Sequence, residues 1–272
     1  MDVTTGLLLL LIGIIAGGYG TIVGAGGGFI FVPALLLILH MDPAIAAGSG
    51  LVIVLINSLS GVVGYAKQKN IRYKTGLTIG ISALPGSILG VWLLQVYSSQ
   101  YFYVVFATIL VALGIFLFSK NLPSSKKQKL ARVAREKAED LTDSTTEPAE
   151  KITEATQSKW LIPLGFFMGI LSSYLGIGGG WLLVPILIYL FKVPTHNATA
   201  TSIFSLCLYS SVGVISQLFY SSIDWMTVVW GGIGVIAGSQ LGVLLSRKIP
   251  GKVIMQMLSV VLVVIGFRMY FG

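Results

Sequence analysis

Charge is scarce in this chain. Only 10% of its 272 residues are Asp, Glu, Lys or Arg. Apart from Asp2, Asp42 and Asp224, every carboxylate falls in one hydrophilic segment, at Glu136, Glu139, Asp140, Asp143, Glu147, Glu150 and Glu154. A proton relay of buried carboxylates, common in pumps, therefore has no residue to carry it. There is one cysteine, Cys207, which excludes disulfides and cysteine-rich metal sites and reads as a small hydrophobe in an apolar run. The two histidines, His40 and His196, stand in polar turns beside Pro43 and Pro194. No P-loop occurs, so ATP drives nothing here. No nucleophile and base set is present either, so an enzyme is not expected and no cofactor or metal is called for.

What the chain has in abundance is apolar sequence. At 55% hydrophobic residues and a mean hydropathy of +0.88, it carries more apolar surface than a soluble domain of this length could bury. The reading is an all-α polytopic membrane protein. Ala44–Tyr65, Gly76–Tyr97, Tyr101–Phe118, Ala198–Tyr220, Trp225–Leu245 and Val253–Phe267 approach the roughly 20 apolar residues that a crossing helix needs. Met1–Thr5 carries no positive charge and Gly6–Ile15 runs on into the repeated unit, so a cleaved leader is not expected.

The chain is also duplicated. Gly24-Ala25-Gly26-Gly27-Gly28, followed by Val32-Pro33, recurs as Gly176-Ile177-Gly178-Gly179-Gly180, followed by Val184-Pro185, and 176 − 24 = 152. The same offset relates Gly17/Gly169, Ser58/Ser210, Gly86/Gly238 and Gly114/Gly266 without a gap. The units are 1–118 and 160–272, joined by a charged linker at 119–159 that cannot build a core and in which one helix, around Lys126–Leu141, is expected.

The formal net charge of +8 is explained by its placement. Lys67, Lys69, Arg72 and Lys74 fill a loop of the first unit, whereas the equivalent loop of the second carries only Asp224. Conversely, Arg247, Lys248 and Lys252 correspond to the uncharged Gln95–Gln100 loop. Basic loops stay cytoplasmic, so the units are expected to have inverted topology in the cell membrane, with both termini outside and the linker cytoplasmic. No nucleic-acid partner is needed to explain the charge. Inversion requires an odd number of crossings per unit, so the glycine-linked pair contributes none or two. It is either a re-entrant hairpin or two complete helices, giving 8–10 membrane segments in all. The shortness of Phe29–Leu39 and Trp181–Phe191 favours the hairpin.

Consecutive glycines destroy a helix, and irregular backbone survives at membrane depth only inside protein or along a wet cavity. A helix starting after such a run presents unpaired amides and the positive end of its dipole, an arrangement suited to anions. The candidate binding residues are therefore Gly24, Gly26, Gly27 and Gly28 with Gly176, Gly178, Gly179 and Gly180. Ser49, Thr201 and Ser202 add hydroxyls at the start of the following spans, and Asn57 adds a mid-span amide. Packing alone accounts for Gly17, Gly61, Gly86, Gly90 and their copies.

The doubled GxGGG-x3-VP segments, with Ala198-Thr199-Ala200-Thr201-Ser202 downstream, resemble the TauE/SafE family of sulfite exporters and related anion permeases. Unit one departs from the pattern at Ala47-Gly48-Ser49-Gly50. The resemblance implies outward transport of small sulfur-containing oxyanions such as sulfite or organosulfonates across the cytoplasmic membrane. The alternatives are a passive channel or permease for other small organic anions, and a scaffold acting through its linker. Monomer and homodimer both fit the sequence. The implied partners are the lipid bilayer and a small anionic substrate.

Overall fold

A computed structural model describes residues 3–97, 102–121, 148–220 and 223–271. The first unit forms α1 (Val3–Val23), α2 (Gly28–Leu37), α3 (Pro43–Lys67), α4 (Tyr73–Val96) and α5 (Phe102–Asn121). The second forms α6 (Pro148–Leu175), α7 (Gly180–Tyr189), α8 (Thr195–Leu218), α9 (Trp225–Ser246) and α10 (Gly251–Phe271). Among the described residues there is no strand. The helix expected around Lys126–Leu141 lies outside the described residues. α5 runs to Asn121 and α6 starts at Pro148, so helix extends into both ends of the 119–159 segment.

The duplication is kept in the coordinates. α2 and α7, α3 and α8, and α4 and α9 start 152 residues apart, at 28 and 180, 43 and 195, and 73 and 225. Even the turns repeat: His40 and its copy Lys192 both take positive φ, 49° and 52°. Local chemistry sets these boundaries. Asp42 caps α3 by accepting the Ala44 amide, with Pro43 at the first helical position, where its missing N–H costs nothing. Asp224 caps α9 through the Met226 amide and the Thr227 hydroxyl.

Among the described residues, six helices are long and apolar enough to cross a membrane: α1, α3, α4, α8, α9 and α10. Five match the spans expected from sequence. The sixth is α1, at 21 residues or about 31 Å, whereas the apolar part of α5, Phe102–Leu117, is shorter. Leu7, Leu11 and Ile15 on α1, Ile81, Ile88 and Trp92 on α4, and Ile233 and Leu244 on α9 are exposed, as a lipid-facing surface requires.

The repeats interlock. α1 packs along α9 and, equivalently, α6 along α4; α3 pairs with α8 and α5 with α10. Most of these contacts join one unit to the other, so neither unit is a self-contained body. Equivalent helices run antiparallel where they meet. On the α3–α8 pair a methyl at Gly61 would lie 3.1 Å from Ile203 and one at Gly213 would lie 2.7 Å from Leu51. On the outer pair, Gly114 abuts Val263 and Gly266 abuts Val111. The α1–α9 interface depends on bare backbone: a methyl at Gly17 would stand 2.5 Å from the Val235 carbonyl oxygen.

Candidate functional site

Both glycine runs are buried and meet each other. Tip one, Gly24–Gly28, joins α1 to α2; tip two, Gly176–Gly180, joins α6 to α7. Gly24, Gly26 and Gly27 have φ of 82°, 82° and 77°, and Gly176 and Gly178 have 68° and 75°. These left-handed conformations explain why the sequence places glycine there. A methyl at Gly28 would lie 2.8 Å from Ile177 Cα, and one at Gly180 would lie 2.8 Å from Ala25 Cα. Gly26 and Gly178 face the same pair of side chains, Val54 and Leu206. Those two residues are a repeat pair at the middle of α3 and α8, so the tips sit half-way along the central helices.

α2 and α7 are ten residues each, about 15 Å, and start at the tips. Pro33 and Pro185 lie in their interiors. A helix leaves its first amides without intrahelical partners. Among the described residues, no backbone carbonyl accepts from Gly27, Gly28 or Phe29 at tip one, or from Gly180 or Trp181 at tip two. A glycine N-cap offers no side chain to compensate. Two positive helix ends thus converge in a buried, low-dielectric region, where a negative charge would relieve both the repulsion and the unmet donors.

The structure sorts the hydroxyl candidates. Ser202 reaches the tips and donates to the Gly24 carbonyl at 2.8 Å. Ser49 and Thr201, a repeat pair, are engaged elsewhere. Ser49 Oγ accepts the Asp224 amide at 2.9 Å and Thr201 Oγ1 accepts the Arg72 amide at 3.0 Å, tying α3 and α8 to the starts of α9 and α4. Asn57 is fully buried on α3; its Oδ1 accepts from Thr21 Oγ1 at 3.1 Å, and its Nδ2 has no partner among the described residues.

Three further residues belong here. Tyr209, the copy of Asn57, accepts the Gly179 amide on its hydroxyl at 3.1 Å. Thr199 packs against Gly24, with its Oγ1 buried and, among the described residues, unpartnered. Trp181, in the first turn of α7, has an indole N–H that is likewise buried without a partner among the described residues. The donors around the tips are therefore neutral: amides, hydroxyls and an indole. The repeat offset was the signal that could have drawn attention to Tyr209 beforehand, since it matches that tyrosine to the candidate Asn57.

Lipid-exposed helices around a sealed centre of irregular, donor-rich backbone define a multi-pass membrane protein with the makings of a transporter. The family described as "Sulfite exporter TauE/SafE" matches residues 9–269, and the chain belongs to that family of membrane transporters. It is 31% identical over 275 residues to the probable membrane transporter protein YunE of Bacillus subtilis, covering 97% of each chain. It is 32% identical over 276 residues to a probable membrane transporter protein of Methanocaldococcus jannaschii, covering 96% of this chain and 94% of that one. No solved structure matches.

Proposed function

We propose that this protein is a secondary transporter that exports small sulfur-containing oxyanions, such as sulfite or organosulfonates, across the cytoplasmic membrane. The observation that carries the proposal is the meeting of the two glycine tips, each buried and each with first-turn amides that no backbone carbonyl among the described residues accepts from. An oxyanion is a compact set of acceptors with negative charge, and amide donors at two converging helix ends complement it without a fixed cation.

The tips touch too closely to admit an anion between them, so binding requires the hairpins to part. Parting them from one side and then the other gives alternating access, with the substrate held at the interface of two units of inverted orientation. Both termini then face outward and the linker faces the cytoplasm, as the basic loops require. Gly24, Gly26, Gly27, Gly28, Gly176, Gly178, Gly179 and Gly180 form the cradle. Ser202 fixes the shape of tip one, and Asn57 offers its free amide hydrogens.

The test is flux in proteoliposomes against sulfite, sulfate, sulfoacetate, taurine and small carboxylates, with and without proton and sodium gradients. Saturable exchange of labelled sulfite is expected. Weakly saturating conductance without exchange would assign the protein to the passive anion channels, and no oxyanion flux under any gradient would sink the proposal.

A further inference from the structure

The two repeats differ along one polar seam, and the difference leaves a buried amide with nothing bonded to it. Gln217, near the end of α8, is 1% exposed, and among the described residues neither its Nε2 nor its Oε1 has a hydrogen-bond partner. Its repeat copy is Tyr65, whose hydroxyl donates to the Thr21 carbonyl at 2.8 Å. One turn before Gln217, a methyl at Gly213 would lie 2.8 Å from both Ser173 Oγ and Ser87 Oγ. Those hydroxyls bond each other at 2.5 Å, and Ser87 also donates to the Tyr209 carbonyl at 3.0 Å. Tyr209 in turn caps the Gly179 amide. A run of polar groups thus follows α8 from Gln217 to tip two. The equivalent run in the first unit is more fully bonded: Tyr65 bonds Thr21, Thr21 bonds Asn57, and Ser239 donates to the Asn57 carbonyl at 3.4 Å, while Asn57 Nδ2 has no partner among the described residues.

A buried polar atom left unpaired carries its full desolvation penalty, and Gln217 buries two. We infer that Gln217 is a second contact for the transported anion, on the α8 seam beyond tip two, and that it selects oxyanions carrying a hydroxyl. The inference rests on the oxyanion-transport proposal. Its chemistry follows from the primary amide, which presents an N–H donor and a C=O acceptor side by side. Both are satisfied at once only by a ligand with an acceptor next to a donor, as in the X=O and X–OH of a monoprotonated oxyanion such as hydrogen sulfite. A fully deprotonated oxyanion would use Nε2 and set a negative oxygen against Oε1. The proton then travels on the substrate, which suits α1–α5 and α7–α10, none of which contains an Asp or Glu.

Two monoanions of like shape test this without changing pH between them: methylphosphonate, held between its two ionisations so that it keeps one hydroxyl, and methanesulfonate, which has none. Each is used to inhibit labelled sulfite exchange by the full-length protein in proteoliposomes. Methylphosphonate is expected to inhibit at about tenfold lower concentration, the factor of one added hydrogen bond. Gln217→Met, which keeps the volume, should shrink the gap to about twofold or less while exchange persists. Tyr65→Phe should leave the gap unchanged. Equal inhibition in the wild type overturns the inference even if Gln217→Met fails to insert, and so does a preference that survives in Gln217→Met. In both cases oxyanion transport itself stands. Absence of any sulfite exchange in the wild type overturns the transport proposal and this inference together.

Discussion

The hydroxyl oxygen of Tyr209 accepts the amide proton of Gly179 at 3.1 Å, so a side chain of α8 occupies a donor of tip two that the transport mechanism needs for substrate. On that mechanism the phenolic oxygen stands where an oxyanion oxygen binds, and the two compete. Tyr209→Phe removes the competitor. The concentration of sulfite at half-maximal exchange should fall by about threefold to tenfold, as for one net hydrogen bond of about 1 kcal/mol. The freed amide destabilises the unliganded protein, so its thermal unfolding should move down and recover with sulfite. A lower unfolding temperature with unchanged half-saturation would make Tyr209 a structural cap only.

Bulk at the same glycine should act in the opposite direction. A methyl at Gly179 would lie 2.8 Å from the Tyr209 hydroxyl and 3.5 Å from Met168 Cβ, and the branches of valine add atoms beyond that shell. Gly179 has an ordinary φ of −84°, so the substitution strains packing and not the backbone. Gly179→Val is therefore expected to insert and accumulate in the membrane while exchange falls to less than about a tenth, which corresponds to 1.4 kcal/mol or more at the site. Normal exchange in a membrane-inserted variant would remove tip two from the site.

The hydroxyls should separate by role. Ser202→Ala removes the bond to the Gly24 carbonyl that shapes tip one, and should raise half-saturation for sulfite several-fold. Ser49→Ala and Thr201→Ala each strand a backbone amide at the start of a neighbouring helix, at a cost of about 1–3 kcal/mol. They should lower the unfolding temperature and leave half-saturation unchanged. Measuring both quantities for all three variants decides it, and a raised half-saturation in Ser49→Ala or Thr201→Ala would return that hydroxyl to the site.

Much of this architecture was legible beforehand because its causes are periodic. The 152-residue offset predicted paired helices, and long apolar runs gave five of the six crossing-length helices. The consecutive glycines of Gly24–Gly28 and Gly176–Gly180 marked backbone that is not helical. Side-chain partners were harder, since adjacent residues on a helix point about 100° apart. Gly50 meets the Gly176 carbonyl region of tip two, while Ser49 beside it turns to Asp224. The repeat offset marks Tyr209 as the counterpart of Asn57, but the offset alone does not show that its hydroxyl reaches the Gly179 amide. The glycines of α1 are where α9 packs against its backbone, as at Gly13 and Gly17.

Opposite orientation of the repeats is the premise of alternating access here, and it can be tested on residues the fold treats as equivalents. Tyr73 and Trp225 open α4 and α9, stand 152 residues apart, and are 53% and 55% exposed. α3 and α8 lie antiparallel, so the loops that follow them emerge at opposite ends of the bundle. On the orientation proposed above, Lys67, Lys69, Arg72 and Lys74 hold the first end in the cytoplasm, and the second end, whose loop lacks such basic residues, faces outward. In a Cys207→Ser background, Tyr73→Cys should react with a membrane-impermeant maleimide only after the membrane is opened, and Trp225→Cys should react in intact cells. Labelling of both from the same side would refute the inverted arrangement and, with it, any cycle in which the two hairpins open alternately to opposite faces.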